Sequence, residues 1–403
     1  MTRLLIENVR ALRPNVGVVG RSVLVEAGRI VGIDPGAAEG AHRVDGDGRL
    51  LTPGLMDVHA HGLGHHLFEA GPDALAAGLK LAPRFGVTCM LPTMYRVMDR
   101  ASLPGLARLA EAIGAVTAVR VPGFHLEGPF LALPGAGAET VAGDVALLDA
   151  LFEATGGRIA AMSVSPDTPD VLPVIERLVE RGVAVFLTHT QATVEQTQAA
   201  IDAGARHATH FYDVFPVPAQ AEPGVRPAGA VEAIMADERV SVDFIADGVH
   251  VHPMAIRAAL AAKGVGRTLL ITDANIGAGL PAGVHESPWG FALRVAEGDG
   301  ARMHTPGGTN DGELAGSALT MEFGMSNLLR WIDRPEHEVW AMGTRSVAER
   351  MGWPDLGDLR EGAAADLVLW DRAADGRLRA NKTWLAGRLV FDAAAATVEV
   401  ARE

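Results

Sequence analysis

Pro53-Gly54-Leu55-Met56-Asp57-Val58-His59-Ala60-His61-Gly62 is the stretch on which the fold turns. After the Pro-Gly turn, residues 55–61 read as a buried strand. Residues two apart on a strand point to the same face, so His59 and His61 bring both imidazoles to one side of its C-terminal end. Seven more short apolar runs follow, at 87–93, 119–126, 159–164, 184–188, 208–211, 240–245 and 268–272. Stretches rich in Ala, Leu, Glu and Arg separate them with the texture of helices, the alternation of a parallel β/α architecture. Eight such strands close into a (β/α)8 TIM barrel, whose reactive side chains come from the C-terminal strand ends. The fold expected is therefore α/β, with the barrel over 53–355.

The flanks have another texture. Residues 1–52 carry short β segments between Gly and Pro turns, and 356–403 repeat the pattern in Ala365-Asp366-Leu367-Val368-Leu369-Trp370, in 383–390 and in 397–400. A barrel that brings its two ends together lets these regions share a sheet, which predicts one small split β-sandwich domain. Residues 275–316, Gly-rich with alternating pieces such as Trp289-Gly290-Phe291-Ala292-Leu293, read as an inserted hairpin or lid.

Five of the eight strand ends supply a metal-binding or proton-moving group. His59 and His61 end the first strand, Glu127 follows the third in His125-Leu126-Glu127-Gly128-Pro129, and His189 follows the fifth. His210 follows the sixth and Asp273 the eighth. Four imidazoles and two carboxylates at one barrel mouth are the donor set of a one- or two-ion hydrolytic site, with zinc the first expectation and iron or manganese the alternatives. Among the other polar residues, His125 reads as a supporting partner on the Glu127 face, His207 as structural and Ser317 as a helix N-cap. His65 and His66 either line the pocket or sit in a solvated loop, and His252, His285 and His304 carry no signal.

Composition narrows the class. A net charge of -14 with 35 Lys+Arg leaves no cationic surplus for a phosphate backbone, so nucleic acid is not an expected partner. The single cysteine, Cys89, excludes an internal disulfide and a Cys-based zinc knuckle. The start of the chain lacks a signal-peptide pattern, and no apolar run approaches the roughly 18 residues of a membrane span, so the expectation is a cytoplasmic protein with no membrane partner.

These motifs resemble the amidohydrolase superfamily. Many of its members bridge two metals with a carbamylated lysine, but Lys80, Lys263 and Lys382 all lie away from strand ends. Glu127 stands where a carboxylate would do that work. The order and spacing of the 53–62 motif, of His125 to Phe130, Ala208-Thr209-His210, Ile245-Ala246-Asp247-Gly248-Val249-His250, Thr272-Asp273-Ala274 and Leu314-Ala315-Gly316-Ser317 resemble the N-acetylglucosamine-6-phosphate deacetylase family. The resemblance implies metal-assisted hydrolysis of an amide in a small N-acyl substrate. Glu127, His189, His210 and Asp273 would act at the metal, Asp273 as general base and then acid, and His250 would contact substrate. Two ions bridged by Glu127 are expected because both His59 and His61 are present, with one ion at Glu127, His189 and His210 as the alternative. The resemblance also implies a homo-oligomer, dimer or higher.

On the substrate side the chain departs from that family. Where the family reads His-Leu-Phe-Asn-Ala-Met, this chain has His210-Phe211-Tyr212-Asp213-Val214-Phe215, and where it reads Arg-Glu-Pro-Gly this chain has Ala221-Glu222-Pro223-Gly224. Arg226 is the nearby cation that would replace the missing one, and Glu139 falls where a substrate-contacting His is expected. These changes make the pocket more acidic and favour a neutral or cationic substrate over a phosphorylated one. A D-aminoacylase-like or cyclic-amide hydrolase, a barrel lyase or isomerase, and a non-catalytic relative are the competing readings.

Overall fold

A computed structural model of the chain describes residues 3–134, 140–296 and 298–395. Eight parallel strands form one sheet in chain order: Leu55–Ala60, Val87–Met94, Phe124–Glu127, Ile159–Val164, Ala184–Leu187, His207–Ala208, Ser241–Ile245 and Thr268–Ile271. The ring closes at its C-terminal end, where Ala60 bridges Ala274 in parallel and the Asp273 N–H donates to the His59 carbonyl at 2.9 Å. Buried Asp57 reinforces this seam by accepting the Thr272 hydroxyl at 2.6 Å and the Thr272 N–H at 3.3 Å.

The connecting helices cover the outer face with the expected period. In Val171–Glu180 the buried residues are Val171, Val174, Ile175 and Leu178, a single stripe toward the sheet. Asp144 accepts from the Ala146 and Leu147 N–H groups at the start of Val145–Ala154, and Thr193 with Gln196 closes a capping box on Val194–Ala203.

The first, fifth, seventh and eighth strands are one residue shorter than expected, and the third and sixth are shorter by more. Of the run 119–126, only Phe124–Glu127 pairs continuously, because Pro122 has no N–H to offer and Arg120 makes just an isolated bridge to Cys89. The sixth strand stops at Ala208 because His210 takes a positive φ of 34° that turns the chain out of the sheet.

Both ends of the chain meet in one six-stranded sheet. Leu50–Pro53 lies between Arg10–Arg13, parallel to it, and Leu367–Arg372, antiparallel to it. A four-stranded sheet of Arg29–Ile33, Val23–Glu26, Arg3–Glu7 and His42–Asp45 completes the split β layer. Ile6, Val23, Ile30, Leu51, Leu367 and Trp384 belong to its core. The expected segment 397–400 lies outside the described residues. Within 275–316 the chain forms a three-stranded antiparallel sheet, Gly283–Glu286, Ala292–Val295 and Arg302–His304. Ser317 caps no helix: its hydroxyl donates to the Thr272 carbonyl at 2.5 Å and ties this segment to the eighth strand. Among the described residues no helix is long and apolar enough to cross a membrane.

Gly86 joins barrel to β layer. Its φ is +70°, and a Cβ there would lie 2.1 Å from the ring of Trp370, which is itself buried with its indole N–H on Thr52 at 2.8 Å. Gly86→Ala therefore meets both backbone strain and a rigid clash. The expected loss is about 2–4 kcal/mol of stability, seen as a lower denaturant midpoint; an unchanged midpoint would show that this junction yields.

Candidate metal centre and active site

The barrel ends bring six of the residues expected from sequence into one cluster. Glu127 is its middle. Its Oε1 lies 3.2 Å from His189 Nε2 and 2.9 Å from His210 Nε2, while its Oε2 lies 3.5 Å from His59 Nε2 and 3.2 Å from His61 Nε2. Asp273 Oδ1 faces the same two imidazoles from the other side, 3.5 Å from His59 and 3.2 Å from His61. All six residues are buried.

Backbone geometry aims these side chains. His189, His210 and Asp273 have φ values of +48°, +34° and +49°, so at each of these strand ends the chain bends sharply and the side chain projects inward. Non-glycine residues in this region cost about 1–3 kcal/mol each and persist where the surroundings over-determine them.

The donor chemistry fits a divalent ion. His59 Nε2 is buried and makes no hydrogen bond, though two carboxylates stand close by. His59, Glu127 and His210 form one group of three whose donor atoms lie within 4.8 Å of one another, and His59, His61 and Asp273 form a second. Imidazole nitrogen with carboxylate oxygen suits zinc, iron or manganese. His125 stays outside the donor set because both ring nitrogens are engaged, Nδ1 with the Val58 carbonyl at 3.0 Å and Nε2 with Ser163 Oγ at 2.7 Å.

Electrostatics also favour a cation. Burial would raise the pKa of Glu127, but the charge of His59 and hydrogen bonds to His189 and His210 hold it well below the carboxylate range. Asp273 is likewise opposed by burial and brought down to about 2, chiefly by His61 and His59. On the imidazole side burial disfavours charge, yet the two carboxylates push His61 up to about 10, and Glu127 does the same for His210.

A cavity of about 200 Å³ opens over this cluster. Tyr95, Leu131, Val214 and Leu314 supply its apolar wall, and Asp213, His250 and Asn275 its polar one. Asp213, which lines the cavity, sits between Tyr212 and Val214, whose φ values of +77° and +52° mark a strained loop. His250 donates from Nδ1 to Asp247 at 2.6 Å; burial lowers its pKa, but Asp247 outweighs burial and raises it. Arg226 is not brought here: its side chain is 86% exposed and paired with Glu232 at 3.0 Å. Glu139 lies outside the described residues.

Tyr95 was not anticipated, although a polar aromatic one residue past the second strand was a readable signal. Its ring meets His61 edge-on at 4.9 Å, and Trp289 of the inserted sheet stands behind it at 6.3 Å. His65 packs on His285 at 5.6 Å and, like His66, does not line the cavity. His252 accepts the Met254 N–H as the N-cap of Pro253–Lys263.

A parallel barrel with this cluster at its mouth defines a metal-dependent hydrolase of the amidohydrolase family, to which the chain belongs: that family's model matches residues 50–399. The N-acetylglucosamine-6-phosphate deacetylase of Vibrio furnissii is 32% identical over 351 residues, covering 85% of this chain and 84% of that one. The N-acetylgalactosamine-6-phosphate deacetylase of Escherichia coli O157:H7 is 31% identical over 353 residues, with 85% and 88% covered. The solved N-acetyl-D-glucosamine-6-phosphate deacetylase of Mycobacterium smegmatis superposes with a TM-score of 0.80 at 28% identity, covering 97% of this chain and all of that one. Within the family, the chain thus falls among the N-acetylglucosamine-6-phosphate deacetylases and hydrolyses a carbon–nitrogen bond other than a peptide bond. Membership implies a divalent metal.

The charge balance predicts a pH signature for metal-free protein. A raised histidine pKa contributes stability that is full below its unfolded value near 6.5 and is lost as pH climbs through about 10. The lowered carboxylates contribute above their unfolded values of 4.5 and 3.8 and lose that contribution as pH falls. Chelator-treated protein is therefore expected to lose thermal stability steadily from pH 7 to 10. A melting temperature that is flat or rising across that range would contradict the charge assignment.

Proposed function

We propose that this chain hydrolyses the amide of a small, non-phosphorylated N-acyl compound. The observation that carries the substrate reading is the cavity wall beyond the clustered donors: Asp213 lines it, and no lysine or arginine does among the described residues. Ala221 stands where the family resemblance expects a phosphate-reaching arginine, and Arg226 points elsewhere. Residues 135–139, which lie outside the description, contain no cation either. A phosphate held away from the metal donors would meet the Asp213 carboxylate with no lysine or arginine among the described residues to pair with. A hydroxyl or ammonium group would instead find Asp213 as acceptor.

Two divalent ions are proposed, with zinc the preferred metal because the donors are imidazole and carboxylate. His189 and His210 would hold one, and His59, His61 and Asp273 the other, with Glu127 shared between them. When bound, such an ion lowers the pKa of a water toward 7 and polarises an amide carbonyl. Asp273, ionised at neutral pH, accepts the proton released as oxygen attacks the carbonyl carbon. It returns that proton to nitrogen as the C–N bond breaks, leaving a carboxylate and a free amine. His250, steadied through Nδ1 by Asp247, offers its Nε2 to an oxygen of the substrate. Tyr95 and Trp289 exclude water on the His61 side.

The test is a hydrolysis panel on metal-loaded enzyme. It compares N-acetylglucosamine-6-phosphate with the unphosphorylated sugar, N-acyl-D-amino acids, cationic N-acyl amines and cyclic amides, with Asp273→Asn as control. The expectation is a kcat/KM at least about tenfold higher for one of the non-phosphorylated compounds, and a loss of about 10²–10⁴ in Asp273→Asn at unchanged metal content. Efficient release of acetate from the 6-phosphate, with the free sugar ignored, would overturn the substrate reading.

A further inference from the structure

Deep in the barrel, below the six clustered residues, lies a second polar chain that the proposed chemistry does not use. Asp243, in the middle of the seventh strand and fully buried, receives three groups. His207 Nε2 meets its Oδ2 at 2.7 Å, while the Thr209 hydroxyl at 3.2 Å and the peptide N–H of His210 at 2.5 Å both meet its Oδ1. Thr209 Oγ1 in turn stands 2.8 Å from Nδ1 of His59, across the barrel on the first strand. His207 is braced from behind by Ser241 at 2.7 Å.

The direction of the protons follows from donor arithmetic. A carboxylate only accepts, so the single hydroxyl proton of Thr209 goes to Asp243, and the Thr209 oxygen is left to accept from His59 Nδ1–H. A neutral His59 then carries its proton on Nδ1 and keeps a lone pair on Nε2, which faces Glu127 and Asp273. Among the described residues no other hydrogen bond to His59 Nδ1 favours that tautomer. With both carboxylates 3.5 Å from Nε2, an unrestrained imidazole would place its proton there and be lost as a metal donor. Asp243 acts on the opposite side as well, because the His210 N–H it accepts belongs to a residue held at a φ of +34°.

We propose that Asp243 is the positioning residue of the metal centre, acting on His59 through the Thr209 hydroxyl and on His210 through its peptide N–H. The inference rests on the reading of His59 and His210 as metal donors, but not on any substrate. Outer partners of this kind set the tautomer and ring orientation of donor histidines, and their loss costs 10–100-fold in metal affinity.

Asp243→Asn risks the fold by leaving buried His207 without its partner, so the decisive variant is Thr209→Val, which keeps the Asp243–His207 pair and the side-chain volume. Two readouts are needed: zinc affinity by chelator competition, and the His59 tautomer by nitrogen-15 NMR of the metal-free protein at a pH where that ring is neutral. Thr209→Val is expected to bind zinc about 10–100-fold more weakly and to move the His59 proton toward Nε2, while Thr209→Ser retains wild-type values on both. Wild-type affinity in Thr209→Val would overturn the relay while leaving the metal reading intact, as would a lower melting temperature with unchanged affinity and tautomer. A wild-type protein that binds no divalent ion would overturn both.

Discussion

A carboxylate buried among four imidazoles is the interaction on which the rest of this structure depends. Glu127 turns one oxygen to His189 and His210 and the other to His59 and His61, so the first, third, fifth and sixth strand ends are held around one atom pair. Asp273 closes the ring from the eighth strand. Two buried negative charges in so small a volume require compensating positive charge, supplied by protonated imidazoles or by metal ions. Protons and metal therefore compete for one site, and metal affinity must rise as the imidazoles lose their protons.

The barrel converts that local demand into geometry. Parallel strands end at one face, and sharp left-handed turns at His189, His210 and Asp273 swing the side chains inward. The seam between first and eighth strands, tied by Asp57 and Thr272, fixes the separation of the His59–His61 arm from Asp273. Below, Asp243 links the first and sixth strands through Thr209. Among the described residues the split β layer contributes no side chain to the cavity, and it serves as the support on which the first strand enters, through Leu50–Pro53 and the Gly86–Trp370 junction.

Much of this was legible in the sequence for a physical reason. A donor at a strand end is preceded by an apolar run, and the barrel obliges all such ends to face the same way, so His59, His61, Glu127, His189, His210 and Asp273 could be gathered without knowing a distance. The split β layer was readable because its strands have alternating texture with Gly-rich turns. What stayed hidden lacks such a rule. Asp243 sits mid-strand between Val242 and Phe244, where nothing in the local pattern says that its neighbours across the sheet are His207 and Thr209. Leu131, Leu314 and Tyr95 reach the cavity from loops whose course depends on tertiary packing. Strand ends were overrun at His61 and Phe211 because donor residues and strand residues share the same apolar context, while the positive φ that ends the sixth strand leaves no mark in composition.

The same contrast separates what the centre does from what it acts on. Donor type and strand position define metal-assisted hydrolysis, whereas Asp213, Ala221 and the cavity walls decide the substrate, and these lie in loops. The proposal that joins both halves is that Glu127 would be shared by two ions. Elemental analysis of zinc-loaded protein, freed of loose metal, tests it most directly. The account predicts about two ions per chain, falling to about one in His59→Ala; about one ion in the wild type, unchanged by His59→Ala, would contradict it.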